Sequence, residues 1–551
     1  MSGSGVSDRP STASPERFIV TPQRISRAGL AGALLAGGLA GLTIAPAIAH
    51  GGSGHGGSGH DGPSVADVPN ANPRSGVQNN VLTSSATQTS VAWGALPLVN
   101  PDTANGVTHY GYNTQAGGPL TQTTDEARKT EPDKNVYLTF GGRHFLYQGH
   151  EGGPRGYVTR IDLDEPDPAK RVTLISDVDD AGNAYPTIDG ITWDPFSHQL
   201  LLTAEAKAPN GGVFGVALDD NGDAVDGKAV RLDALGAGGY EGVQNDKDGN
   251  VWLVEDIGGS SVSGGKAPNS YVYRFVPTDQ ADLTKGGALQ ALQIQRKDGT
   301  PVTADQLQAD PTDAFITQLH TYGTSFKTRW VTVHDGAAEA FDATAAAKSA
   351  GATPLKRPEN GVFRPGTGFR EFYFTETGDT STASTLPGAY GGVFKVSQSS
   401  PSAATGTISI AAVGDKAHTG MDNIAFLTKD DLLVVEDAGD GLHAQRDALD
   451  SGYLYDLGGQ RGHRAAGRDR APRAVRWLAE GRDASATFDA TSGPSYNDGD
   501  NEITGIHVSD GDPTAAGLLG AKMPNPWSTT WRTFWTQQHG DNVTWEVRWR
   551  R

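Results

Sequence analysis

YEGVQNDKDGNVWLVED (Tyr240–Asp256) reads as an apolar strand, a polar turn, a second strand of alternating apolar residues and a closing carboxylate pair. The same grammar returns in GITWDPFSHQLLLTAE (190–205), GVFRPGTGFREFYFTET (361–377) and NIAFLTKDDLLVVED (423–437). One such hairpin cannot bury its apolar face alone, so its repetition is the sign of a propeller or solenoid in which neighbours supply the missing surface. Radial stacking puts equivalent tips at equivalent places. Carboxylates on those tips then converge on one axis, where their mutual repulsion is relieved by cations.

Working outward, the hairpins run in series from NVYLTF with its HEGG tip to EITGIHVSDGD with TWEVRW, each with period-2 alternation bounded by Gly, Asp or Asn. The count is six, so the expected class is an all-β, six-bladed propeller. Two stretches break the rhythm. Residues 281–358 are rich in Ala and Gln and partly helical in pattern, and residues 461–483 form the one dense basic run. Inserts on a rigid frame are natural lids over a channel mouth.

The chain begins with a polar segment ending at Arg24 and Arg27, followed by AGLAGALLAGGLAGLTIAPAIA. This pattern marks residues 1–49 as an export signal cleaved after Ala49. The Gly/Ser/His tract that follows makes residues 50–90 a flexible linker. Residues 91–551 are then one propeller domain. A secreted or extracytoplasmic monomer with no membrane span in the mature protein is expected. A net charge of −19 repels nucleic acid and anionic membranes. The absence of cysteine removes disulfides, thiolate ligands and cysteine nucleophiles. No serine-hydrolase elbow, phosphate-binding P-loop or zincin motif is present.

The tip carboxylates Glu205, Glu241, Glu255, Asp256, Glu376, Asp422, Glu436, Asp437 and Glu502 are the candidate ligands. An all-oxygen donor set suits Ca2+ or another hard cation. DKDGN (Asp246–Asn250) lacks the distal Glu of a calcium loop and reads as a hairpin turn. His539, in QQHGDN, stands at a hairpin end as a general acid, substrate contact or ligand. Arg461, Arg464, Arg473 and Arg476 could fork onto an anionic substrate.

YEGV at Tyr240, SYVYRFVP at Ser270, PEN at Pro358, MDNIAF…VVED at Met421, NEITGI at Asn501 and TQQHGDN at Thr536 form an ordered set. From about Ile188 to Asn542 the chain resembles the secreted PhoX-type alkaline phosphatases. In that family a six-bladed propeller holds iron and calcium and hydrolyses phosphomonoesters outside the cytoplasm. The resemblance implies Glu205, Glu241, Glu359, Asp422, Asp437 and Glu502 as metal ligands, with His539 beside them. The family's iron-bridging cysteine is missing: the corresponding stretch reads TIDGITWDP, with Asp189 nearby. Calcium is therefore the expected cofactor, and a second hard metal such as iron loses its thiolate.

The reading that follows is an exported metal-dependent phosphoesterase acting on a phosphorylated small molecule. Glu241 and His539 are its catalytic candidates, and Arg461 and Arg464 its substrate clamp. Two alternatives stay open: a non-catalytic calcium-stabilised propeller that binds a protein or glycan of the cell envelope, and a lactonase-like hydrolase.

Overall fold

Period-2 alternation becomes strand almost wherever it occurs. The computed structural model describes residues 62–74, 78–102, 107–111, 131–152, 155–336, 339–458, 471–481, 502–539 and 542–551, all within the unit Gly59–Arg551. The class is all-β. Six strands are first in their hairpins: β1 (Pro132–Phe140), β2 (Ile188–Asp194), β3 (Tyr240–Asn245), β4 (Pro358–Phe363), β5 (Met421–Phe426) and β6 (Glu502–Ser509). Each pairs antiparallel with the strand that follows it. Each also packs against its neighbours in cyclic order, β1 on β2 through to β6 on β1.

Each of these strands leads a mainly antiparallel group, with short parallel pairings at the outer edges of the first two. β3 continues through Val251–Glu255 and Val272–Pro277 to Gly287–Gln295, and β4 through Glu371–Glu376 and Gly392–Gln398 to Thr405–Val413. The long strand Ser325–Gly336 pairs with the outer strand of both groups and joins them into one nine-stranded sheet. ALQALQIQ, in the Ala- and Gln-rich stretch, is thus a strand, and the helices there are the short Ala304–Ala309, Ala314–Leu319 and Ala343–Ser349.

Apolar residues gather between adjacent groups rather than at one centre. Val136, Ile188 and Trp193 share a cluster between the first two groups, and Trp252, Phe363 and Phe372 between the third and fourth. Ile503, Trp477 and Trp535 fill the space between the fifth and sixth. Tyr137, Leu146 and Phe534 close the circle between sixth and first. Each hairpin face is buried only because its neighbours exist, as the repeat pattern requires.

The expected flexible tract over 50–90 is corrected in its second half. Ala86–Ala92 pairs with Val543–Trp549 as the outer strand of the last group, and Val81–Leu82 pairs with Ala474–Ala479. Val65 and Val68 are buried as well. Structure therefore starts well before Val91, because the outer edges of the last two sheets need backbone partners that only this segment supplies.

Candidate metal centre and active site

A bulge recurs at the same place in every first strand. Tyr240 opposes Glu255 but Val243 opposes Leu253, so one extra residue is held beside Glu241. The same shift follows Pro132, Ile188, Pro358 and Met421, and β6 carries its extra residue at Thr504. A bulge breaks the pleat and re-aims the local side chain. Asp133, Asp189, Glu241, Glu359 and Asp422 each occupy the second position of a bulged strand, and Glu502 begins the sixth. In β2 the bulge also demands Gly190, since a Cβ there would overlap the Glu241 carbonyl oxygen.

Two groups of acids result. Carboxylate oxygens of Asp133, Glu151 and Asp189 lie within 4.8 Å of one another, as do those of Glu241, Asp256 and Glu359. Asn360 ties the second group to Asp422 and Lys134: its Nδ2 donates to Glu241 Oε1 at 2.8 Å and Asp422 Oδ1 at 3.1 Å, and its Oδ1 accepts from Lys134 Nζ at 2.6 Å. The buried Lys134 ammonium is pulled below its usual range by desolvation, against the charges of Asp422, Glu241, Asp189 and Asp133. Arg357 borders the second group. Its Nε donates to Asp256 Oδ2 at 2.7 Å and its Nη2 lies 3.4 Å from Glu359 Oε1. Arg357 holds a left-handed backbone (φ 59°), strained for a non-glycine residue.

Crowding raises the acids. Burial first, and neighbouring carboxylates second, push Asp133, Asp189, Glu205, Glu241 and Asp437 well above the usual range. Burial lifts Glu359 to about 8, with Asp256 adding and Arg357 opposing. Glu151 rises to about 7 and Asp422 to about 6, each through burial opposed by hydrogen bonds. The buried oxygens Asp133 Oδ1, Asp189 Oδ1 and Asp256 Oδ1 have no hydrogen-bond donor. Buried, donor-less carboxylate oxygens in converging sets fit hard cations, which supply the missing positive charge.

Of the residues expected from sequence, Glu241, Glu359 and Asp422 come together directly. Glu205 faces the charges of Asp256, Glu151 and Glu359, and Asp437 those of Glu502 and Asp422. The His539 ring lies between Glu131 and Glu502, with Nδ1 3.5 Å from the former and Nε2 3.4 Å from the latter. Three tip acids turn away. Glu255 accepts from Tyr271, Tyr273 and Thr344; Glu376 accepts from the Lys356 N–H and contacts His320; Glu436 accepts from Arg446 and Ser451. Strand alternation sends the following residue inward instead, so Asp256 and Asp437 replace Glu255 and Glu436.

Arg461 and Arg464 lie outside the described residues. Arg473 pairs with Asp67 at 3.1 Å, and Arg476 donates to Ser451 Oγ and Tyr453 OH, so neither serves the acids. Asp133, Lys134, Glu151 and Arg357 were not among the expected residues. Of these only Asp133 carries a sequence signal, a positional one: PD, ID, YE, PE and MD place an acid second in five of the first strands, so aligning the hairpin starts adds it.

The family model "Alkaline phosphatase PhoX" matches residues 214–510. Among solved structures, Pseudomonas fluorescens PhoX in complex with vanadate, a transition state analogue, aligns with TM-score 0.54 at 12% identity, over 88% of this chain and 98% of that chain. At this identity the likeness speaks to the fold alone. The Pseudomonas aeruginosa periplasmic gluconolactonase PpgL aligns with TM-score 0.32 at 12% identity, over 72% of this chain and 97% of that chain. The α-L-arabinofuranosidase PaAbf62A of Podospora anserina, in complex with cellotriose, gives TM-score 0.30 at 10% identity, over 83% and 96%. No curated protein matches the chain. Because the family match spans more than half of its length, the chain belongs to the alkaline phosphatase PhoX family.

Proposed function

We propose that the protein is an exported, monomeric, metal-dependent phosphoesterase, built as a six-bladed propeller, that hydrolyses a phosphorylated small molecule at its ring of carboxylates. The observation that carries this reading is the pair of acid groups, Asp133–Glu151–Asp189 and Glu241–Asp256–Glu359, with an arginine on their border. Cyclic packing of six strand groups supports the propeller. No helix among the described residues is long and apolar enough to cross a membrane.

Asp133, Glu151, Asp189, Glu205, Glu241, Asp256, Glu359, Asp422, Asp437 and Glu502 would hold calcium, alone or with a second hard cation. Bound cations of this kind neutralise charge on phosphoryl oxygens and lower the pKa of coordinated water. Asp189 stands near the stretch where the family resemblance places a cysteine, and its carboxylate would offer calcium a hard ligand in exchange for a soft one. The chain's own groups do the rest. The Arg357 guanidinium, about a quarter exposed and braced by Asp256, presents fixed positive charge to a phosphoryl oxygen. His539 can protonate the departing alkoxide from Nε2 when Glu502 is engaged by a cation, with Glu131 beside Nδ1 orienting the ring. Burial keeps bulk water away, so each charge acts at low dielectric.

The test is hydrolysis of phosphomonoesters by mature protein purified without chelator, with metal content measured on the same sample. Turnover that EDTA abolishes and Ca2+ restores is expected. Calcium bound with no turnover on any phosphoester overturns the reading and leaves a binding protein.

A further inference from the structure

Beside the acids, between the first and second strand groups, lies an open cavity of about 530 Å3. Its wall is continuous with the site. Gly152 follows Glu151, Ala206 follows Glu205, and Thr187 stands two residues before Asp189; all three line the cavity. The size falls in the range of small-ligand sites.

The lining is polar, and its two arginines are already paired. Arg155 pairs with Asp177 at 3.1 Å and Arg231 with Asp233 at 3.1 Å. Arg231 is pinned further by donating to the Pro209 and Gly211 carbonyls, above the Phe214 ring. Each guanidinium already has its counter-charge, so the cavity gives a second anionic group little net attraction. Tyr185 and Phe214 are only 3% exposed, which leaves no open ring face on which a flat aromatic group could stack. Hydrogen-bonding side chains remain at the opening: Asn183 and Asn210 are exposed there, and Asn183 is oriented by donating its Nδ2 to Asp179 Oδ2 at 2.9 Å.

We infer that this cavity is the leaving-group subsite, and that it takes an uncharged, hydroxyl-rich group, so the substrates are phosphomonoesters of sugars or polyols. Amides offer both a donor and an acceptor, which matches hydroxyls and does not match an apolar aryl ring. The inference rests on the phosphoesterase reading for its geometry, and a binding measurement tests it independently of turnover.

The experiment compares glucose 6-phosphate, p-nitrophenyl phosphate and inorganic phosphate on calcium-loaded wild type and on the double variant Asn183→Ala/Asn210→Ala. Turnover and calorimetric affinity are both recorded. Wild type should bind glucose 6-phosphate more tightly than inorganic phosphate. In the variant the ratio of kcat/KM for glucose 6-phosphate over p-nitrophenyl phosphate should fall about tenfold, mainly through KM, as expected for two lost hydrogen bonds. Turnover with an unchanged ratio overturns the subsite and spares the phosphoesterase. Absence of turnover, together with asparagine-dependent binding of glucose 6-phosphate, removes the phosphoesterase and keeps the subsite. Equal affinity for glucose 6-phosphate and inorganic phosphate in both proteins overturns the subsite whatever the turnover.

Discussion

Glu241 concentrates the chemistry of the centre in one residue. It belongs to the Glu241–Asp256–Glu359 group, accepts from Asn360 and shares the field of Asp189 and Asp422. Glu241→Gln keeps the shape and the Asn360 acceptor but removes the charge a cation needs. Loss of at least about 100-fold in phosphomonoester turnover is expected, with an unchanged circular dichroism spectrum. Lys134 plays the opposite part, as a covalently attached cation among four carboxylates. Lys134→Met leaves those acids without their built-in counter-charge, so metal-free protein should lose roughly 3–5 kcal/mol of stability. Added Ca2+ should then stabilise the variant more than wild type in thermal unfolding. An equal calcium shift in the two proteins would show that Lys134 does not share the acids' charge. Lys134 was not legible in the sequence, because a lysine in an alternating strand looks like any solvent-facing residue until the bulge turns it inward.

At the scale of the element, the recurring bulge is the device that makes a site out of a repeat. Gly190→Ala tests it. A new Cβ would meet the Glu241 carbonyl oxygen on the next inner strand, β3, and the Thr203 hydroxyl on Gln199–Ala204, the hairpin partner of β2. Destabilisation of at least about 1–3 kcal/mol is expected, together with reduced metal content, since the two acid groups move apart. Gly441, inside the helix Gly439–Arg446, is the matched control: nothing lies near its Cβ position. Gly441→Ala should raise stability by about 0.5–1 kcal/mol through helix propensity alone, measured by the same denaturant titration. The hairpins themselves were legible, since alternation and Asp-Gly turns are local. DKDGN is the turn expected: Asp246 Oδ1 accepts from the Asp248 and Asn250 N–H groups, and Gly249 takes φ 77°. The bulges were not legible, because register is a property of two strands and a single sequence shows only one at a time.

For the whole molecule, the ring of acids couples stability to pH and metal. Asp422 at about 6, Glu151 at about 7 and Glu359 at about 8 all lie above their unfolded values. Between those values the folded protein holds more protons than the unfolded chain, so stability falls as pH rises. The full contribution is present below about pH 4 and is gone above about pH 8. The melting temperature of EDTA-treated protein should therefore drop progressively from pH 5 to pH 8. Calcium-loaded protein should drop less, because the bound ion favours the ionised acids; parallel curves for the two forms would contradict a cation at the ring. The N-terminal strand Ala86–Ala92 belongs to this scale as well, since it completes the last sheet by pairing with the C-terminal strand Val543–Trp549.

What the sequence determined by itself was the local alphabet: hairpins of alternating apolar residues, their repetition and hence an all-β class, and acids clustered at hairpin ends. The family resemblance was also readable, because its short phrases survive in order along the chain. Only the tertiary structure decided which of two adjacent acids points inward, as with Asp256 over Glu255 and Asp437 over Glu436. It also brought Lys134 and Arg357 to the carboxylates and drew residues 62–74 and 78–92 into the fold. The physical reason is common to all of these. Bulge register depends on the facing strand, edge completion on partners hundreds of residues away, and burial and charge are summed over neighbours that sequence spacing does not reveal.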